Sequence, residues 1–142
     1  MTQEQKELLL KDLCGRLPYG VKVQTTYINP QTKERKDIGT DVLSTVEISM
    51  LIDGYEEHKP YLFPLTSMTR KQREEFVKFA DYEPRLEDCG KHQELYYYDL
   101  VGHENNLYPN SDAIDWCNKN HFDYRGLIPM DLANDATGLN IY

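Results

Sequence analysis

Three cysteines and four histidines are the side chains whose chemistry most depends on a partner. Cys89 and His92 stand three residues apart, and Cys117 and His121 stand four apart, which places the second pair on one helix face. Two such pairs have the donor set of a tetrahedral zinc site. The first pair, however, falls in an irregular stretch. Cys117 also continues an apolar face with Ile114, where a lone thiol acts as a small hydrophobe. No structural metal and no cofactor are therefore expected, and Cys117 is expected to be buried as packing. A catalytic nucleophile needs a base, and the base needs an orienting group. No spacing selects such a set around Cys14, Cys89 or Cys117. The chain also has no Gly-x-Ser-x-Gly, no Walker loop and no Gly-x-Gly-x-x-Gly. No catalytic residue is identified. Paired carboxylates such as Glu56-Glu57 and Glu87-Asp88 read as solvent-facing loop residues.

The densest chemistry lies in His121-Phe122-Asp123-Tyr124-Arg125-Gly126. Arg125 is suited to hold a phosphate or carboxylate through two parallel hydrogen bonds, with Tyr124 or Phe122 stacked on a base. The same residues also make a good helix stop. In that reading His121 lies near the last carbonyls, Phe122 enters the core and Asp123 pairs with Arg125. The helix stop fits better, so Arg125 is expected to be anchored by Asp123 or another acid of the C-terminal half. His121, Tyr124 and Arg125 remain the candidate ligand- or partner-binding residues.

These groups must be positioned by a small scaffold. The chain has 142 residues, the size of one domain, and is read as a single unit over 1–142. It is acidic, with net charge −8, and the charge is uneven: residues 1–40 sum to +2 and residues 41–142 to −10. An acidic body repels phosphate backbones, so general nucleic-acid binding is not expected. The acidity suits solubility, or the imitation of DNA toward a DNA-binding partner. Tyr is abundant, 11 residues against 4 Phe and 1 Trp. It suits half-buried strands, and it suits surfaces that are wet before binding and dry after it. An odd cysteine count fits free thiols in a reducing compartment, and no signal peptide or membrane span is visible. A cytoplasmic protein without a membrane partner is expected.

An α+β fold follows from the patterning: a small antiparallel meander of three or four strands packed with about three helices. Thr2 and Gln5 have capping-box spacing and Gly15 has the place of a closing glycine, which bounds a first helix around Leu9, Leu10 and Leu13. Val21, Val23, Thr25 and Tyr27 alternate with polar residues and predict a strand. Residues 29–41 read as a polar hairpin tip. Val42 to Ile52 alternates over a long, mostly apolar run and predicts a central strand. Asp53-Gly54 then turns the chain into a short strand through Tyr55 to Tyr61. Thr69 with Gln72 opens a helix whose buried side holds Phe76, Val77, Phe79 and Ala80. Residues 81–93 look irregular, Leu95 to Val101 reads as a strand, and Ala113 to about Asn120 as the last helix. The final residues are expected to fray. One core is expected to join Leu9, Leu13, Val23, Val46, Ile48, Phe76, Phe79, Ile114 and Trp116.

Three segments carry a resemblance: Leu13–Val21 (LCGRLPYGV), Lys59–Thr69 (KPYLFPLTSMT) and Ile114–Met130 (IDWCNKNHFDYRGLIPM). Together they resemble a family of short uncharacterised proteins from gut-bacterial genomes, prophages and phages. That family commonly has an apolar residue at the place of Cys117, which implies a packing role for this thiol. The resemblance implies no activity. It implies a phage or mobile-element setting, and with it a role on or with a host factor. The expectation is a non-enzymatic binding protein with a host or phage protein as partner. Two alternatives stand beside it: a small-ligand, perhaps nucleotide, binder using His121, Tyr124 and Arg125, and a small hydrolase with an unrecognised site. Tyrosines clustered on an exposed face support the first. A pocket holding Arg125 supports the second, and a histidine with an acid partner lining a cleft supports the third.

Overall fold

A computed structural model describes residues 1–80 and 111–142. The first helix, α1, runs Gln3–Arg16 and opens on the predicted capping box: Gln5 N donates to Thr2 Oγ1 at 3.2 Å and Thr2 N to Gln5 Oε1 at 2.8 Å. Its buried positions are Leu9, Asp12, Leu13 and Arg16, an i, i+3, i+4, i+7 stripe in which half the members are charged. Gly15 does not close this helix. The helix passes into a 3₁₀ turn, Leu17–Tyr19, and the left-handed residue is Gly20, φ 64°. The lack of a side chain at Gly15 serves close packing instead, since a Cβ there would lie 3.2 Å from Asn118 Nδ2.

Strand β1, Lys22–Ile28, pairs antiparallel with β2, Arg35–Val42. The turn between them is fixed by Asn29, whose side chain accepts from Gln31 N and Thr32 N. The expected loop over 29–41 is thus mostly strand. It lies at the sheet edge and all eight residues are exposed, so neither face carries an apolar period to read.

The expected central strand over Val42–Ile52 is a helix. Helix α2, Thr45–Asp53, starts at Ser44, whose side chain and that of Glu47 cap each other's backbone N–H. It closes at Gly54, φ 77°, whose N–H donates to Leu51 O. Caps at both ends outweigh the β-branched alternation between them. The central strand is β3, Glu56–Pro64, with Val23 opposite Pro60 and Thr25 opposite His58. The sheet order is β2-β1-β3-β4, and β5 also pairs with β3. β4, Phe122–Asp123, and β5, Asn134–Asp135, both run parallel to β3, so the sheet is mixed and not a plain meander. The fold is α+β.

Helix α3, Arg70–Ala80, begins on the Thr69–Gln72 capping box, and α4 spans Ser111–Lys119. The residues expected to share one core divide between two clusters. Leu9, Leu13 and Val23 join Leu51, Leu62 and Leu127 between α1, α2 and the sheet. Phe76 and Trp116 join Cys117 and Phe122 between α3 and α4, with Trp116 stacked on Phe122 at 5.5 Å and 3°. Ile48 and Ile114 are half-buried at the rims. Val46 and Phe79 are 59% and 39% exposed, Val46 because it lies across α2 from Ile48, which packs on the core. The predicted irregular stretch 81–93, the strand over 95–101 and the Cys89–His92 pair fall outside the described residues.

Candidate functional site

The interior of the molecule holds a charged centre that joins α1 to the segment after α4. Asp12 and Arg16, one helical turn apart, are both fully buried. Arg16 Nε donates to Asp12 Oδ2 at 2.6 Å, and Nη2 donates to Asp12 Oδ1 at 3.2 Å and to the carbonyl of Phe122 at 2.8 Å. Arg125 Nε lies 3.2 Å from the same Asp12 Oδ1. The Tyr124 ring meets both guanidinium groups, with centroid distances of 5.4 Å to Arg16 and 4.7 Å to Arg125. One carboxylate therefore serves two arginines, and one aromatic ring covers the remaining charge.

Arg125 is anchored, but by Asp12 of the N-terminal helix and not by Asp123 or another acid of the C-terminal half. Asp123 is occupied elsewhere: Oδ1 accepts from Leu127 N at 2.8 Å and Oδ2 from Ile128 N at 2.9 Å. It caps the tight bend after β4 with both oxygens. Burial raises the Asp123 carboxyl above the ordinary value, and those two amide donors oppose the rise.

Of the three candidate residues, Tyr124 and Arg125 belong to this centre. His121 lies beside it, in the left-handed region at φ 58°, with its ring stacked on Tyr142 at 4.0 Å. Burial, and then the nearby Arg16 charge, push its pKa down to about 4. The ring is neutral at pH 7. The tail does not fray at its end: Tyr142 Oη donates to Tyr61 O at 2.7 Å and accepts from Lys22 N at 3.0 Å. Cys117 is fully buried, and burial pushes its thiol up to about 12, so it packs as the apolar face of α4 predicts.

His58 was not distinguishable from other histidines in the sequence. It sits on the core face of β3, fully buried, with Nδ1 3.1 Å from Thr25 Oγ1 and Nε2 3.4 Å from Glu56. Burial lowers its pKa, and Glu56 works against that. It lines a cleft of about 230 Å³ whose rim carries two ion pairs, Arg35–Glu57 and Lys59–Asp131. No Ser, Thr or Cys among the described residues lines this cleft. The signal in the sequence was weak: a period-two position in a strand, shared with Pro60 and Leu62.

The surface offers a different feature. Helix α2 turns Leu51 inward and presents Val46, Met50 and Ile52 to solvent, 59%, 37% and 53% exposed. The helix leads directly into Tyr55, whose N–H donates to Met50 O and whose carbonyl accepts from Ile28 N. Tyr55 and Tyr27 are exposed as well. Backbone hydrogen bonds thus hold the end of α2 next to two tyrosine-bearing strand ends. The neighbouring edge strand is less open to pairing than its exposure suggests. Asp41 Oδ1 accepts from Val42 N and Asp37 Oδ1 from Gly39 N, and the pairing with β1 slips by a residue between Thr25 and Thr26.

No protein-family model, curated protein or solved structure matches this chain. No helix among the described residues is long and apolar enough to cross a membrane.

Proposed function

We propose that this chain is a non-enzymatic binding protein that meets a protein partner through the outward face of α2 and the tyrosines beside it. The observation that carries the reading is the position of Val46, Met50 and Ile52. A nine-residue helix that buries only one side chain fully has no folding reason to be so apolar outside. Adjacent apolar and tyrosine side chains gain most from losing water on contact with a partner. The family resemblance adds a setting: a phage or mobile element acting on or with a host factor. The buried charged centre is assigned to structure, because its two most buried members, Asp12 and Arg16, already engage each other and Phe122.

The test is a capture experiment on bacterial lysate with the unaltered protein and the Val46→Glu/Ile52→Glu variant, followed by mass spectrometry. A partner retained by the unaltered protein and lost by a variant with an unchanged melting temperature supports the reading. Equal retention by both removes α2 from it.

A further inference from the structure

The centre between α1 and the segment after α4 holds more cation than its hydrogen bonds neutralise. Arg16 and Arg125 share the Asp12 carboxylate. Both Asp12 oxygens already accept from Arg16, and both Asp123 oxygens accept from the amides of Leu127 and Ile128. Donors are left over instead. Arg16 Nη1, Arg125 Nε and the Tyr124 hydroxyl are buried and make no hydrogen bond. Arg125 Nε lies 3.2 Å from Asp12 Oδ1, close enough for attraction, but its N–H is not aimed at that oxygen. The Tyr124 ring meets both guanidinium groups, so the three spare donors belong to one neighbourhood. An unpaired buried donor is costly, and donors in excess around two cations match an acceptor that carries negative charge.

The placement of Arg125 and Tyr124 suits them to receive one. Arg125 is 20% exposed where Asp12, Arg16 and Tyr124 are buried, so it is the member of the centre that meets solvent. It approaches Asp12 closest with its inner nitrogen, which leaves the two terminal nitrogens for another acceptor. Its planar head lies over the Tyr124 ring, 4.7 Å from the centroid, and that contact holds the guanidinium without using its N–H groups. Burial, and then the Asp12 charge, raise the Tyr124 phenol above its ordinary value, so the hydroxyl keeps its proton at pH 7 and stays a donor.

We infer that Arg125 and Tyr124 form the mouth of a binding site for a small oxyanion, the carboxylate or phosphate group of a ligand, with Arg16 as the fixed cation behind them. The guanidinium fork donates two parallel hydrogen bonds to such a group, which chloride, a single acceptor atom, does not match. Asp12 and Arg16 keep their part in the fold, and the anion neutralises the second arginine. The inference needs no contact at α2 and is independent of the reading given for that face.

The test is a titration of the unaltered full chain, labelled with nitrogen-15, with sodium acetate and in parallel with methyl phosphate. Sodium chloride keeps the ionic strength constant, and the signal read is the Nε–Hε resonance of each arginine. A saturable shift at Arg125, half complete by about 10 mM of at least one oxyanion, is expected. Arg35 and Arg70, on the surface, should move no more than they do in chloride alone. Arg125→Lys keeps the charge without the fork and is expected to weaken binding about tenfold, read at the Arg16 resonance. Tyr124→Phe keeps the ring without the donor and is expected to weaken it about threefold. Tighter binding of acetate assigns the site to a carboxylate, and tighter binding of methyl phosphate assigns it to a phosphate. Three results would overturn the inference: no saturable shift at Arg125, an equal shift of every arginine, or undiminished affinity in Arg125→Lys. The comparison among arginines uses the unaltered protein, so the outcome does not depend on a variant folding.

Discussion

Helices α1 and α2 pack on each other and invert the usual rule in opposite directions. α1 carries a carboxylate and a guanidinium into the interior, while α2 carries valine, methionine and isoleucine out to solvent. The burial of α1 is affordable because every charge it brings inside finds an opposite charge or a carbonyl at hydrogen-bond distance. Among the described residues the exposure of α2 has no such compensation. Buried charge here records an internal solution already reached. The exposed apolar surface of α2 is what the proposed contact with a partner rests on.

Removing Asp12 gives the largest effect expected from this contrast. Asp12→Ala leaves Arg16 buried without a carboxylate and Arg125 without its anchor. A loss of about 3–5 kcal/mol is expected by denaturant unfolding, because an uncompensated buried charge is expensive. A loss below about 1 kcal/mol would show that water reaches the centre and that its charges are not buried in solution. The Asp12→Leu/Arg16→Met pair sharpens the comparison. It removes both charges and should recover part of the loss, but not all, since Phe122 O and Arg125 still lose a partner.

A smaller effect is expected from pH. The folded pKa of His121, about 4, lies below its ordinary value of 6.5. The unfolded chain then binds the proton more readily, so stability is fully present above pH 6.5 and falls as pH drops toward 4. The loss should be on the order of 1–2 kcal/mol, since part of the ring faces water. His58, also lowered by burial, adds in the same direction. Unfolding curves at pH 7 and pH 5 measure the total. His121→Asn, which tolerates the left-handed backbone, should flatten the dependence. A stability that rises on acidification would contradict both directions.

The smallest effect belongs to α2. Val46→Glu places a better helix former in the first turn, where a negative charge suits the helix dipole. The melting temperature should change by no more than corresponds to about 0.5 kcal/mol. A large drop would mean that the Val46 side chain is packed in solution, and the contrast between the two helices would fail.

The sequence was most legible where one local signal acts alone. Capping boxes at Thr2 and Thr69 located α1 and α3, and the alternation from Val21 to Tyr27 located β1. α2 was misread because its apolar residues outnumber what its core face needs, and a run apolar on both sides looks like a central strand. The corrective signal was present: Ser44 and Glu47 have the spacing of Thr2 and Gln5, and Gly54 follows at the right distance. β2 had no pattern to read, since both its faces meet solvent. β4 and β5 are two residues each and exist only through their pairing with β3. The charged centre was half legible. Tyr124 and Arg125 were identified, but their partner lies more than a hundred residues away in α1, and no local spacing announces a contact of that range.

That separation has a consequence for how the chain is made. Arg16 leaves the ribosome before the carbonyl it must reach, which belongs to Phe122, 106 residues later. Synthesis at about 5–20 residues per second puts several seconds between the two. During that interval α1 and the β1–β2 hairpin exist without β4, β5 or the leucines at 127 and 132 that complete their core. Asp12 and Arg16 hold only each other, in water, across one helical turn. The nascent chain therefore cannot commit to its fold in order of emergence. Helix α1 waits for the segment after α4, and contacts of such sequence separation are the kind that slow folding.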